Sequence, residues 1–338
     1  MVQTPSADAV LVMAYGGPGD LDEVEPFMCE LMGARPSDEV CARVKRRYLA
    51  IGGSSPLPQI ARDFAAAIES SMVTAGAPLP VEVGFKYTSP RIADALTMMY
   101  QHGVRRVVTF SLSPFESKTT TEAYRAAVEE AAAHMPGLEV VEAPLMSRIP
   151  AFLDAHAGFL SVALTDLPEE ASAKVLVVFS AHSLPVADLQ SPIDPYVEGL
   201  QLASQYVASK IGLDTGQFGP VLTGVSGYGS AQGERPWILA YQSKGQRGGE
   251  WLEPSLDDVI DAAVSEGYSA VAVCPIGFAT EHMETLYDLD VVAAGRALDA
   301  DMEFVRSAAP NAHETVVLAV GDAIRSIVGL DSGVSREA

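Results

Sequence analysis

The sequence predicts an α/β protein made of two Rossmann-like domains, each a parallel sheet flanked by helices, with a cleft between them. Three observations predict it. Short apolar runs alternate with helical stretches along the whole chain, several runs are apolar on both alternating positions, and the two halves repeat one pattern in outline. Strands covered by helices on both faces read as near-continuous apolar runs, and strand–helix alternation marks an open parallel sheet. The 338 residues suit two domains at roughly 150 residues each. The expected division is 1–155 and 156–338, with the last helix able to pack back on the first domain.

In chain order the strand candidates are AVLVMAY (9–15), VEVGFKY (81–87), VRRVVTFSLSP (104–114), LEVVEAP (138–144), AKVLVVFSAHS (173–183), PWILAYQS (236–243) and YSAVAVCPIGFA (268–279). Helical spacing of apolar residues marks IARDFAAAIESSM (60–72), RIADALTMMYQHG (91–103) and TEAYRAAVEEAAAH (121–134). Gly103 and Gly267 stand where glycine ends a helix. AVLVMAYGGPG and VLVVFSAHSLP each lead a strand into a proline-punctuated loop, and RRVVTFSLSPFES and AVAVCPIGFATEH do so later in each half. Ligands of open parallel sheets bind beyond the carboxyl ends of strands. These four strand ends, with Tyr15, Ser113, His182 and residues 278–290, are therefore expected to face the cleft.

Composition narrows the function classes. The chain has 22 basic and 44 acidic residues, a net charge of −22. Such a surface repels nucleic acid and anionic membranes, and favours a cation as guest. The N-terminus MVQTPSADAV has no signal-peptide pattern, and no apolar run approaches the ~20 residues that span a bilayer. Cys29, Cys41 and Cys274 lack CxxC spacing and fall short of the four thiolates that usually hold an iron–sulfur cluster. The expectation is a cytoplasmic monomer with no disulfide framework, no cluster, no permanently bound cofactor and no integral membrane contact.

Four motifs bear on chemistry. His182 ends a buried strand, where an imidazole is a satisfied loop residue, a base near neutrality or a metal ligand. In FATEHMETLYDLD (278–290), a helix would set Glu284 and Asp288 four apart on one face, with Thr280 a turn earlier. Such a pair is a solvated acidic face or a cation site, and it alternates with Met283, Leu286 and Tyr287, which suggests a wall. In CARVKRRYLAIGGSSPLPQI (41–60), Arg43, Arg46 and Arg47 share a helical face ahead of a Gly-Gly-Ser-Ser-Pro turn. That is an exposed charged helix or a place for a polycarboxylate. Finally, Tyr15 leaves the first strand beside two glycines. HExxH, Walker A, GxSxG and GxGxxG settings are absent.

Together, AYGGP, RYLAIGGSSPL, SAHSLP and PIGFATEHMETLYDLD resemble the ferrochelatase family, from about residue 9 to 325. SAHSLP paired with GF…HxExLYD at this separation is far more specific than either alone. The resemblance implies insertion of Fe²⁺, as substrate, into a porphyrin held in the cleft. It assigns His182 and Glu284 as the catalytic and metal-handling pair, Asp288 to the outer metal path, and Tyr15 to the position over the porphyrin metal. Tyr124 and Ser55 are implied propionate contacts, Arg47 and Tyr48 a pair at the cleft edge, and Arg35 the remnant of a basic patch; Arg46 joins them as a porphyrin-binding candidate. Val292 stands where the acidic ladder often continues, and GVSGYGSAQGERP (224–236) looks like an unusual insertion. A polar SLSPFESKTTTEAY segment suits four-propionate coproporphyrin III better than protoporphyrin IX. The alternatives are protoporphyrin IX as substrate, cobalt insertion, or a carrier of haem or porphyrin that has lost catalysis.

Overall fold

A computed structural model describes residues 7–190, 194–213, 221–231, 235–245 and 248–329. The chain forms two compact units. Unit 1 gathers Met1–Val44, Ser54–Ala151 and Asn311–Ala338; unit 2 gathers Lys45–Gly53 and Phe152–Pro310.

Unit 1 begins with strands β1 (Ala9–Ala14), β2 (Val81–Phe85), β3 (Arg106–Ser111) and β4 (Glu139–Glu142), all parallel in the order β2-β1-β3-β4. Its helices are α1 (Val24–Met32), the first half of α2 (Asp38–Ala50), α3 (Leu57–Thr74), α4 (Ile92–Gln101) and α5 (Thr121–Ala132). Every residue of β1 is buried, as a strand covered on both faces requires. One core cluster joins Leu11 and Met13 of β1 to Ile92, Leu96 and Met99 of α4 and Tyr124 and Val128 of α5. Each fully buried leucine or isoleucine there contributes about 1.5–3 kcal/mol.

Unit 2 holds α6 (Pro150–Thr165) from Phe152 onward, α7 (Glu169–Ser172), β5 (Val175–His182), α8 (Pro195–Lys210), β6 (Tyr228–Ser230), β7 (Trp237–Gln242), α9 (Leu256–Ser265), β8 (Ala270–Cys274), α10 (Met283–Leu286), α11 (Ala294–Asp299) and β9 (Glu303–Arg306). Its sheet runs β6-β7-β5-β8-β9. Setting β6 aside, both sheets place their second strand beside the first, then the third and fourth on the other side. Each sheet therefore has a point where the strand order reverses, at β1/β3 and at β5/β8. The α9 helix is capped by Ser255, whose hydroxyl accepts from Asp258 N at 3.1 Å. The α8 helix is capped by Asp194, which accepts from Tyr196 N at 2.9 Å.

The chain returns to unit 1 as α12 (Glu314–Ile327), whose Val316, Val317, Val320 and Ile324 are buried. It packs on α3, and at Gly321 a Cβ would stand 2.7 Å from Ser71 Oγ, so glycine permits the close approach. No helix among the described residues is long and apolar enough to cross a membrane.

The Gly-rich run expected as an insertion departs from an all-parallel reading. Its residues Tyr228–Ser230 form β6, antiparallel to β7, with Tyr228 opposite Leu239 and Ser230 opposite Trp237. A Cβ on Gly229 would strike the Trp237 carbonyl, so the bare backbone is what lets this edge form. Residues 232–234 of that run lie outside the described residues. With three residues and no alternating apolar pattern, β6 is held by main-chain pairing that no side-chain periodicity announces.

Unit 2 also buries a histidine. His156 of α6 is fully buried, with Nδ1 3.7 Å from Cys274 Sγ. Burial pushes the His156 pKa down to about 3, against a lesser opposing hydrogen bond at the Phe278 backbone, and pushes the Cys274 thiol up to about 12. The folded state therefore binds this proton far more weakly than the unfolded chain, whose histidine titrates near 6.5. Stability from this group is complete above pH 6.5 and falls as pH drops toward 3. Between pH 6.5 and 4 the loss is expected to be about 3 kcal/mol. Urea unfolding of His156→Leu, referenced to its own value at pH 7, should show a shallower acid slope than the unsubstituted protein. Parallel slopes would exclude His156 as an acid trigger.

Candidate functional site

In unit 2 the strand-order reversal at β5/β8 carries the chemistry. His182 is the last residue of β5, paired in register with Gln242 of β7. Its carbonyl accepts the hydroxyl of buried Tyr196 at 2.8 Å. Next door, Ser183 N donates to Gln242 O at 2.8 Å and Ser183 Oγ to Leu252 O at 3.0 Å. The imidazole thus leaves a backbone fixed from three directions.

After β8 the chain turns through Pro275–Phe278, and Gly277 N donates to Ser180 O at 3.0 Å. A Cβ at Gly277 would lie 2.6 Å from Ala181 Cβ, so this turn runs hard against the end of β5. The short α10 follows. Its start is fixed by Thr285, whose Oγ1 accepts from His282 N at 3.0 Å and donates to His282 O at 3.1 Å. Gln242 Nε2 donates to Glu284 O at 2.7 Å. These contacts bring Glu284 Oε2 to 2.9 Å from His182 Nδ1 and 3.8 Å from His282 Nε2.

The expected single helical face is not continuous. Thr280 precedes α10 and is buried, and the helix ends at Tyr287, giving way to a π-helical turn, Asp288–Ala293. There Val292 N reaches back five residues to Tyr287 O at 3.0 Å. Such turns are rare, and no 3.6-residue periodicity anticipates one. Asp288 Oδ2 accepts from Ser243 Oγ at 2.5 Å, and Ser243 holds a left-handed φ of 60° just past β7. Arg47 Nη1 lies 4.0 Å from Asp288 Oδ1, with its guanidinium 5.3 Å from the Tyr287 ring centre.

The His182 and Glu284 side chains keep 32% and 29% exposure, so the pair is half-buried and open to a guest. Burial pulls the His182 pKa down, but the charge and hydrogen bond of Glu284, helped by Asp288, outweigh it and raise it above 6.5. Burial acts upward on Glu284, and His182 overcomes it, so Glu284 lies below the ordinary carboxylate value. The pair favours imidazolium and carboxylate together. His282 moves the other way: burial lowers its pKa despite the nearby Glu284 and Glu281. Asp288 is raised, by burial first and then by Glu284, against Ser243, Arg47 and His182. Buried Tyr48 lies close enough for the Glu284 charge to add to burial in raising its hydroxyl.

This is a set of proton acceptors and acids at one strand end, suited to taking protons and drawing in a divalent cation. Among the described residues, no group of three or more His, Cys, Asp or Glu forms a ready-made metal cage.

Unit 1 holds the other candidates. Tyr15 follows β1, its ring 4.7 Å from that of Tyr87. Next to it, Gly16 has φ of 90°, and a Cβ on Gly17 would stand 2.6 Å from Ser55 Cβ. Ser55 is buried, its N donating to Pro18 O at 2.8 Å. Tyr124 is fully buried, its hydroxyl 3.2 Å from Ser113 Oγ and its pKa raised mainly by burial. Arg35 is 71% exposed and pairs with Glu25 at 2.9 Å and Asp38 at 3.9 Å.

Unit 2 thus brings His182, Glu284, Asp288, Arg47 and Tyr48 together, and leaves Arg46 exposed. Reasoning from sequence does not single out His282, Gln242, Ser243 or Tyr196. His282 sits inside the HxE motif and was open to notice; the others reach the site through register and folding, which leave no local mark.

A sequence profile described as Ferrochelatase matches residues 7–327. A coproporphyrin III ferrochelatase of Propionibacterium freudenreichii is 31% identical, covering 98% of this chain and 91% of that protein. One from Staphylococcus aureus is 30% identical over 94% of this chain and 98% of its own length. Among solved structures, the sirohydrochlorin chelatase SirB of Bacillus subtilis with cobalt aligns at TM-score 0.52 and 11% identity, covering 96% of this chain and 97% of that one. SirB with Fe³⁺ aligns at 0.53 and 12%, covering 95% of each. These structural likenesses concern the fold, which is that of a chelatase.

Proposed function

This chain belongs to the ferrochelatase family, and from that premise we propose that it inserts Fe²⁺ into coproporphyrin III, with His182 and Glu284 as the catalytic pair. The observation that carries the reading is the 2.9 Å contact between His182 Nδ1 and Glu284 Oε2 at the strand ends of unit 2. The names of the relatives supply the porphyrin.

Insertion exchanges two pyrrole protons for one dication, so the site must take protons and strip water from the metal. Glu284, held ionised by His182, attracts the cation and replaces its water. In its neutral form His182 accepts one pyrrole proton or ligates the metal, and its raised pKa lets it keep a proton once taken. The remaining pyrrole protons pass to Glu284 or to solvent water as the metal enters the ring. Asp288, tethered by Ser243, meets iron before Glu284 does. In unit 1, Tyr15 faces the porphyrin metal and Ser55 supplies a hydroxyl toward a propionate; Tyr124, fully buried, acts on a propionate through the Ser113 hydroxyl that it bonds. Arg47, Tyr48, Arg46 and Arg35 are the remaining proposed porphyrin contacts. Puckering the macrocycle to bare its nitrogen lone pairs draws on binding energy elsewhere on the ring.

Assaying Fe²⁺, Co²⁺ and Zn²⁺ with coproporphyrin III and with protoporphyrin IX tests the reading. Iron with coproporphyrin III should turn over fastest; a preference for protoporphyrin IX would overturn the substrate, and a preference for cobalt the metal. Arg47→Ala should weaken coproporphyrin III roughly fivefold and protoporphyrin IX less, with the loss muted by salt. Equal losses for both would assign Arg47 to Asp288 alone.

A further inference from the structure

Arg306, the last residue of β9, grips both ends of the segment that carries the site. Its Nε and Nη2 donate to the two carboxylate oxygens of Asp290 at 2.6 and 2.8 Å. Its Nη1 donates to Glu281 Oε1 at 2.8 Å, and the same oxygen accepts Ala309 N at 2.9 Å. Glu281 directly precedes His282, and Asp290 comes two residues after Asp288. The Arg306 and Glu281 side chains are only 12% and 13% exposed. Asp290 is 38% exposed, so this is a half-buried fork, with all three guanidinium nitrogens engaged.

The segment between the two acids needs such a hold. It consists of the four-residue α10, a break at Tyr287 and the π-helical turn from Asp288. A π-helical turn is rare and occurs mostly as a single turn at functional sites, so contacts outside the turn are what fix it here. We propose that Arg306 is a positioning residue for metal insertion. By fixing Glu281 against Asp290, it sets the π-turn and hence the distances among Glu284, Asp288 and His182. Arginine is required because its planar fork meets Asp290 with two parallel bonds and still reaches Glu281; a lysine ammonium offers no such fork. Arg306 makes no contact with substrate in this scheme. The proposal rests on the reading that Glu284 and Asp288 handle the metal.

The test compares Arg306→Lys, Arg306→Ala and Glu284→Gln in the full chain. With Arg306→Lys, kcat should fall ten- to a hundredfold, the size of loss that a displacement of about 1 Å brings. KM for iron should rise, while coproporphyrin III affinity, read by fluorescence titration, stays within about fivefold, the most that disturbing Arg47 against Asp288 should cost. Millimolar guanidinium ion should restore kcat of Arg306→Ala and leave Glu284→Gln unimproved. A porphyrin affinity lost in step with kcat, or absence of rescue in a folded Arg306→Ala, would assign Arg306 to general stability and overturn the proposal. Unchanged kcat in Arg306→Lys beside an inactive Glu284→Gln would also overturn it. Should Arg306→Ala fail to fold, the kcat and KM of Arg306→Lys decide. A Glu284→Gln enzyme with full turnover would instead remove the site reading on which the clamp depends.

Discussion

Alanine in place of His182 is expected to slow iron insertion by about a thousandfold while coproporphyrin III affinity changes by less than an order of magnitude. The imidazole stands at the end of β5 with Nδ1 on Glu284. Its loss removes a proton acceptor and leaves the Glu284 carboxylate without the partner that holds it ionised. Burial, the opposing influence, then raises the Glu284 pKa and weakens its pull on Fe²⁺. The macrocycle should still bind, because propionate contacts and apolar walls do not depend on the ring of His182. Steady-state insertion and porphyrin titration on one preparation separate the two effects. A variant keeping more than a tenth of the original turnover would end the proposed role.

Glutamine at position 284 should lower kcat by about a hundredfold or more even at saturating iron, since the amide keeps the size and loses the charge. It should also change the pH profile in a definite direction. His182 lies above 6.5 only because Glu284 and Asp288 outweigh burial. If insertion needs the neutral imidazole, the acid limb of kcat reports this pKa, and in Glu284→Gln it should move to lower pH. Asp288→Asn should act mainly on KM for iron. Greater damage from Asp288→Asn at saturating iron would reverse the order assigned to the two acids. An acid limb that stayed in place would mean another group sets it.

The strands that build each core were legible because a strand buried on both faces must be written as an apolar run, as in β1, β5 and β8. The resemblance brought His182 and Glu284 out for a similar reason: both sit in dense motifs at strand ends. What stayed hidden depends on geometry between distant segments. The β6 strand is paired through its backbone, and partly exposed β9 is four residues long. The break at Tyr287 looks like continuing helix to any periodic reading. Arg306 is one arginine among many until folding places it between Glu281 and Asp290. Arg35, a porphyrin candidate from sequence, pairs with Glu25 and Asp38 in the structure, contacts that its sequence setting does not announce.

The return of the chain to unit 1 has a consequence for synthesis. The helix α12 is the last of the described elements to leave the ribosome, yet it covers α3, made some two hundred and fifty residues earlier. Until residues 314–327 emerge, the surface of α3 around Ser71 has no native cover. Every segment of unit 2 is translated before that happens. The first unit begun is therefore the last completed, and a nascent chain halted near residue 310 holds a second unit with all its residues present beside a first that still lacks a wall.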